Sequence, residues 1–133
     1  MKKMNAMIQL LLTTGSQQLL KLFFNDFRHP MKFGEHVTIA YKPFLNDPII
    51  NRYREGDILS ITVTGYASDD SGEAVEVEGV DSKNKHTHVT LSCADGISPV
   101  YSNDLLETEY IVENPNIDGE PLELTGIVKI HKF

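Results

Sequence analysis

Hydrophobic and polar positions along the chain change period several times, and each change marks an element. Met4 to Leu12 is apolar enough for a buried strand, and Thr13 to Ser16 then supplies turn chemistry and a helix N-cap. From Gln17 onward Leu19, Leu20, Leu22, Phe23, Phe24 and Phe27 recur at helical spacing, which predicts an amphipathic helix closed by Arg28, His29 and Pro30. Glu35 to Tyr41 reads as a second strand, ended by Pro43, which has no N–H for a ladder. The polar connection from Phe44 to Asp57 is long enough to border a functional site and has room for a short helical turn. Two alternating runs begin at Ile58 and Glu73; Ser68 to Gly72 between them is a hairpin signal, so the runs are expected to pair antiparallel. His86 to Cys93 predicts another strand, Ala94 to Glu107 a turn and a short helical segment, Glu113 to Pro121 a loop, and Leu122 to Phe133 a last strand. The sum is an α+β domain of about six strands and one or two helices, rich in antiparallel hairpins.

Composition narrows the class. The 133 residues suit one domain, residues 1–133, large enough to bury its own core. Cys93 is the single cysteine, so no internal disulfide forms and a reducing, cytoplasmic compartment is the simplest expectation. Lys2 and Lys3 followed by apolar residues mimic an export signal. Gln9 interrupts the run, however, no small-residue cleavage pattern follows, and the segment reads as the first strand. No stretch reaches the roughly 20 apolar residues of a membrane helix. A net charge of −7 argues against broad binding to duplex nucleic acid, which relies on many Lys and Arg contacts. A small phosphate-bearing ligand stays open, because a local group of cations outweighs the global sign. Lys32 and Lys42 flank the second strand, and Lys83 and Lys85 precede the strand from His86.

Two of the five histidines stand in one setting: His-Val-Thr-Ile-Ala from His36 and His-Val-Thr-Leu-Ser from His88. Side chains alternate along a strand, so His36 and Thr38 share a face, as do His86, His88 and Thr90, with Val37, Ile39, Val89 and Leu91 opposite. One solvent-facing strand with His and Thr is ordinary. Two copies among five histidines arise by chance in on the order of a few shuffles per ten thousand. If the polar faces converge, two imidazoles offer a general base and a general acid near neutral pH. The hydroxyls then offer neutral donors for the non-bridging oxygens of a phosphate. That set suits metal-free cleavage of a phosphodiester.

The paired His-apolar-Thr-apolar strands in a chain of this size resemble the two-histidine (2H) phosphoesterase superfamily. That superfamily includes RNA 2′,3′-cyclic phosphodiesterases, the cyclic phosphodiesterase domains of tRNA ligases, 2′,5′-oligoadenylate phosphodiesterases, and phage proteins that destroy cyclic-oligonucleotide immune signals. The two motif stretches are most similar to small phage or RNA-repair members. The resemblance implies a pseudo-symmetric pair of antiparallel lobes around a central cleft, one motif from each. It implies catalytic roles for His36 and His88, phosphate-binding roles for Thr38 and Thr90, no cofactor, and a small nucleotide or RNA end as substrate. The chain is short for the superfamily, with few of the loops that dress the cleft, so the substrate stays open among 2′,3′-cyclic, 2′,5′ and 3′,5′ linkages.

Further candidates surround the motifs. Lys42 and Lys85 would attract phosphate, and His86 shares the face of His88, although an exposed His needs no function. Tyr41 faces away from His36 under strict alternation unless a bulge near Pro43 turns it. Tyr101 would stack on a base or pack on the sheet, and packing is the expectation. Two rival readings remain. One is a small metal-binding β-barrel using the His-x-His of His86 and His88, with His36 or Asp95 as further ligands. The other is a non-catalytic nucleotide- or phosphate-binding module built on the same cleft.

Overall fold

The computed structural model describes residues 1–108, 116–117 and 119–133. In chain order the elements are β1 (Ala6–Leu12), α1 (Thr14–Phe23), β2 (Met31–Lys32), β3 (His36–Tyr41), a 3₁₀ turn (Pro48–Asn51), β4 (Ile58–Ser68), β5 (Gly72–Glu78), β6 (His88–Cys93), α2 (Tyr101–Glu107), β7 (Asn116–Ile117), β8 (Glu120–Pro121) and β9 (Glu123–Lys132). The α+β class is as expected. The strands pair antiparallel in the order β6-β3-β1-β9-β4-β5, and β5 pairs with β6 again, so the sheet closes into a ring. No helix among the described residues is long and apolar enough to cross a membrane.

Alternation explains the core. Ile8, Leu10 and Leu12 of β1, Val37 and Ile39 of β3, Val63 of β4, Val75 and Val77 of β5, Val89 and Leu91 of β6 and Val128 of β9 all face inward and are buried. Each such side chain removed from water contributes about 2 kcal/mol. The β4–β5 hairpin forms where Ser68 to Gly72 marked it, with Val63 opposite Val77 and Tyr66 opposite Val75.

Element ends differ from the sequence expectation in instructive ways. Thr13 is the N-cap, its hydroxyl accepting from the Ser16 N–H at 3.2 Å, so α1 begins earlier than Gln17. The helix also stops at Phe23. Asn25, Asp26 and Phe27 all take left-handed backbone angles, and Phe27 reaches the core from this turn, not from a helical face. Tertiary packing of one ring has overridden helical spacing. The loop expected from Glu113 to Pro121 contains a small pairing of β7 with β8; residues 113–115 and 118 lie outside the described residues. β2, unforeseen, pairs with β6 through Met31–Cys93 and Lys32–Ser92. β6 starts at His88, not His86.

Gly34 makes the turn between β2 and β3 possible. Its φ is +78°, and a Cβ there would lie 2.6 Å from the Phe27 ring. Gly34→Ala is expected to cost about 2 kcal/mol, read in a thermal melt as a Tm lowered by about 5–10 °C. A melt within a degree of wild type would contradict this packing.

Candidate active site

The motif strands meet at a single bridge, Val37 opposite Val89. Just before it, the N–H groups of Phe33 and Gly34 donate to the carbonyls of Leu91 and Thr90, each at 2.8 Å, which ties the entry of β3 to β6. Just after it, β3 turns to another partner: the carbonyls of Thr38 and Ile39 accept from the Ser82 hydroxyl at 2.7 Å and the Lys83 N–H at 2.8 Å. The strands therefore splay beyond Val37. Because the bridge is antiparallel, the motifs run in opposite directions, and the His of each lies toward the Thr of the other.

His36, Thr38, His88 and Thr90 all line one cavity of about 300 Å³, at the lower end of the range for small-ligand sites. Met7, Phe33, Pro99 and Val100 supply apolar wall, and Asn84 and Asn103 add amides. The cavity is thus built by β1, β3, β6, the loop before β6, and α2 with the turn leading into it. Thr90 bonds the Ser102 hydroxyl at 2.8 Å and donates more weakly to the Pro99 carbonyl at 3.3 Å, which joins α2 to β6. The Asn103 side-chain oxygen is buried and meets no donor among the described residues, leaving acceptor capacity in the wall.

The imidazoles are held differently. The His88 ring is buried and its Nδ1 lies 2.7 Å from the His86 carbonyl. A carbonyl only accepts, so the proton sits on Nδ1 and Nε2 is left to exchange protons. Burial lowers the pKa of His88 from its ordinary value, against the stabilising His86 carbonyl. His36 is half-buried; burial lowers its pKa as well, Glu35 opposes that, and the charge of a protonated His88 lowers it further. Both rings line the one cavity, and a proton on His88 disfavours one on His36.

Other sequence candidates lie elsewhere. His86 precedes β6 and does not line the cavity: its Nδ1 is 2.9 Å from Glu76, the residue opposite His88 on β5, and its Nε2 2.6 Å from Glu107. The hydrogen bond to Glu107, joined by Glu76, raises its pKa. Both nitrogens of His86 are thus engaged by carboxylates, and no group of three or more His, Cys, Asp or Glu among the described residues converges as metal ligands do. Lys85 pairs with Glu107 at 2.8 Å, Lys83 with Asp47 at 3.0 Å, and Lys32 donates to the carbonyls of Asp26 and Phe27. Lys42 sits over aromatic rings and does not line the cavity. None of Lys32, Lys42, Lys83 and Lys85 lines the cavity, whose one fixed charge among the described residues is Glu35.

Tyr101 packs against Ala67, Ala74, Leu105 and Leu106, its ring edge where a Cβ of Gly72 would be, and its hydroxyl donates to Asp69. It does not line the cavity. Tyr41 does, because Ile39 is an extra residue opposite β1: Ile8 pairs with Ala40 and Gln9 with Thr38. This bulge, not one at Pro43, buries Ile39 and Ala40 together and turns Tyr41 to the face of His36. Glu35, Asn84 and Asn103 escaped sequence reasoning; Glu35 alone carried a signal, as the immediate neighbour of His36.

No protein-family model matches this chain, and no curated protein matches it. Among solved structures, it is similar to a crystal structure of a fungal RNA kinase, with a TM-score of 0.62 and 13% identity, over 99% of this chain and 45% of that one. At that identity the likeness shows the fold. The chain spans under half the length of the structure it matches.

Proposed function

We propose that this protein is a 2H-type phosphodiesterase that opens an RNA 2′,3′-cyclic end or cleaves a cyclic or short oligonucleotide without needing a metal. The observation carrying this reading is that both His-Val-Thr motifs border one cavity. In this reading the two motif strands, which meet at the Val37–Val89 bridge, stand for the superfamily's two lobes, while the sheet itself runs on as one closed ring through β4. The fold's likeness to an RNA kinase supports an RNA substrate. The kinase chemistry of that name is not carried over, since the chain has no GxxxxGK[S/T] phosphate loop.

In the reaction, one imidazole takes a proton from water, or from a ribose hydroxyl, as its oxygen bonds to phosphorus. The other gives its proton to the ribose oxygen as the old P–O bond breaks. With water the product is a phosphomonoester, and the two histidines exchange protonation states, which solvent restores. The Thr38 and Thr90 hydroxyls donate to the non-bridging oxygens, Thr90 by leaving its long bond to the Pro99 carbonyl.

The test is a panel of 2′,3′-cyclic nucleotides, 2′,5′-oligoadenylates and 3′,5′-cyclic dinucleotides offered in chelator to wild type and to the double variant His36→Ala/His88→Ala. At least one class is turned over by wild type and none by the variant. Equal turnover by both proteins, or turnover only on adding a divalent cation, would overturn the reading. With no Lys or Arg in the described wall, kcat/KM toward a mononucleotide is expected to change less than about threefold between 50 and 300 mM salt, since few counterions are released. A tenfold fall would mean that cations reach the phosphate after all.

A further inference from the structure

Beside the cavity is an aromatic surface that the chemistry above leaves unused. Tyr41 lines the cavity yet is 62% exposed, and the Phe133 ring meets it edge-on at 5.5 Å, itself 53% exposed. Phe133 packs in turn on His131 at 5.2 Å, and its backbone is held to Asn5, just before the start of β1. Lys42 lies over both rings, its ammonium 5.7 Å from the Tyr41 centroid and 5.3 Å from that of Phe133. Lys32, Lys83 and Lys85 are each taken up by carbonyls or carboxylates, whereas Lys42 pairs with no carboxylate among the described residues. At the other end of β3 stands Glu35, exposed and anionic. The two ends of β3 therefore differ: a carboxylate lines the cavity at the start of the strand, and an exposed ring backed by a second ring and a cation stands at its end.

Exposed, adjoining aromatic rings next to an unpaired ammonium match the chemistry of single-stranded nucleic acid, where bases stack and the backbone is neutralised. We infer that the preferred substrate is an oligonucleotide, and that the nucleotide next to the reacting phosphate stacks on the Phe133 ring, with Tyr41 beside it and its own phosphate toward Lys42. This rests on the reading of the cavity as a phosphate site and adds to it a second subsite and a direction for the strand. A single cyclic mononucleotide fills the cavity and leaves the rings bare.

The experiment compares equilibrium binding of two product-type ligands, which are not consumed: adenosine 2′-phosphate and the diadenosine dinucleotide ending in the same 2′-phosphate. Wild type is expected to bind the dinucleotide about tenfold tighter, a typical stacking contribution. In Phe133→Ala the ratio falls to within about twofold, and Phe133→Tyr restores it. Lys42→Gln lowers the dinucleotide's salt slope by about one and leaves the mononucleotide's alone. A ratio near one in wild type, or one unchanged in Phe133→Ala, overturns the platform while leaving a phosphodiesterase of mononucleotide ends standing. A ratio that behaves as expected in a protein turning over no phosphodiester keeps the platform and removes the enzyme. Failure of both ligands to bind at millimolar concentration removes both.

Discussion

Replacing His36 or His88 with asparagine lowers kcat/KM toward the responsive phosphodiester by about 100- to 10,000-fold, the range for losing a positioned general acid or base. Asparagine keeps polarity and much of the volume, so the fold survives, and the Tm stays within a few degrees of wild type. The double variant is expected to be little worse than the weaker single one, because one missing proton transfer already stops the concerted step. Product binding persists in both, since Thr38, Thr90 and the wall amides remain. Steady-state kinetics alongside product titration checks this: a loss of binding equal to the loss of rate would make the histidines anchors, and unchanged rates would leave a passive pocket.

The pH dependence follows from burial. Both imidazoles have pKa values lowered from 6.5, chiefly by desolvation, and a proton on His88 further disfavours one on His36. The competent free protein carries one proton on the pair. Loss of that proton as pH rises, and gain of a second as pH falls, bound a bell for kcat/KM centred below pH 6.5. On the alkaline limb the rate falls about tenfold per pH unit. A bound phosphate anion favours the imidazolium, so the kcat profile lies at higher pH than that of kcat/KM. The same depressed values make the two histidines' own contribution to stability fall as pH drops below 6.5, because the unfolded chain binds these protons first; His86, held above its ordinary value, contributes in the opposite sense. Rate profiles across pH 4–9 test the catalytic part; a kcat/KM optimum above 7 would contradict it.

Much of this site is written in local pattern. Each His-Val-Thr alternates on a strand with valine in the core, and the β4–β5 hairpin and the Thr13 cap follow from residues adjacent to one another. What the sequence hides is set by partners far along the chain. His86 shares the period of His88, yet Glu76 and Glu107 hold both of its ring nitrogens, and the strand begins after it. Lys85 and Lys83 look like phosphate ligands until Glu107 and Asp47 claim them. Tyr41 reaches the cavity through one extra residue against β1, a register decision invisible in β3 alone. Asn84 and Asn103 lie in a loop and a short helix whose placement depends on closure of the ring through β5, β6 and β3.

The central claim is that His36 and His88 serve one phosphoryl group. Nitrogen-15 imidazole spectra recorded while the protein is titrated with a non-hydrolysable nucleotide phosphate test it most directly. Signals of both rings are expected to move along one saturation curve, each toward the protonated form; movement of one ring alone, or of neither at saturation, would contradict the account.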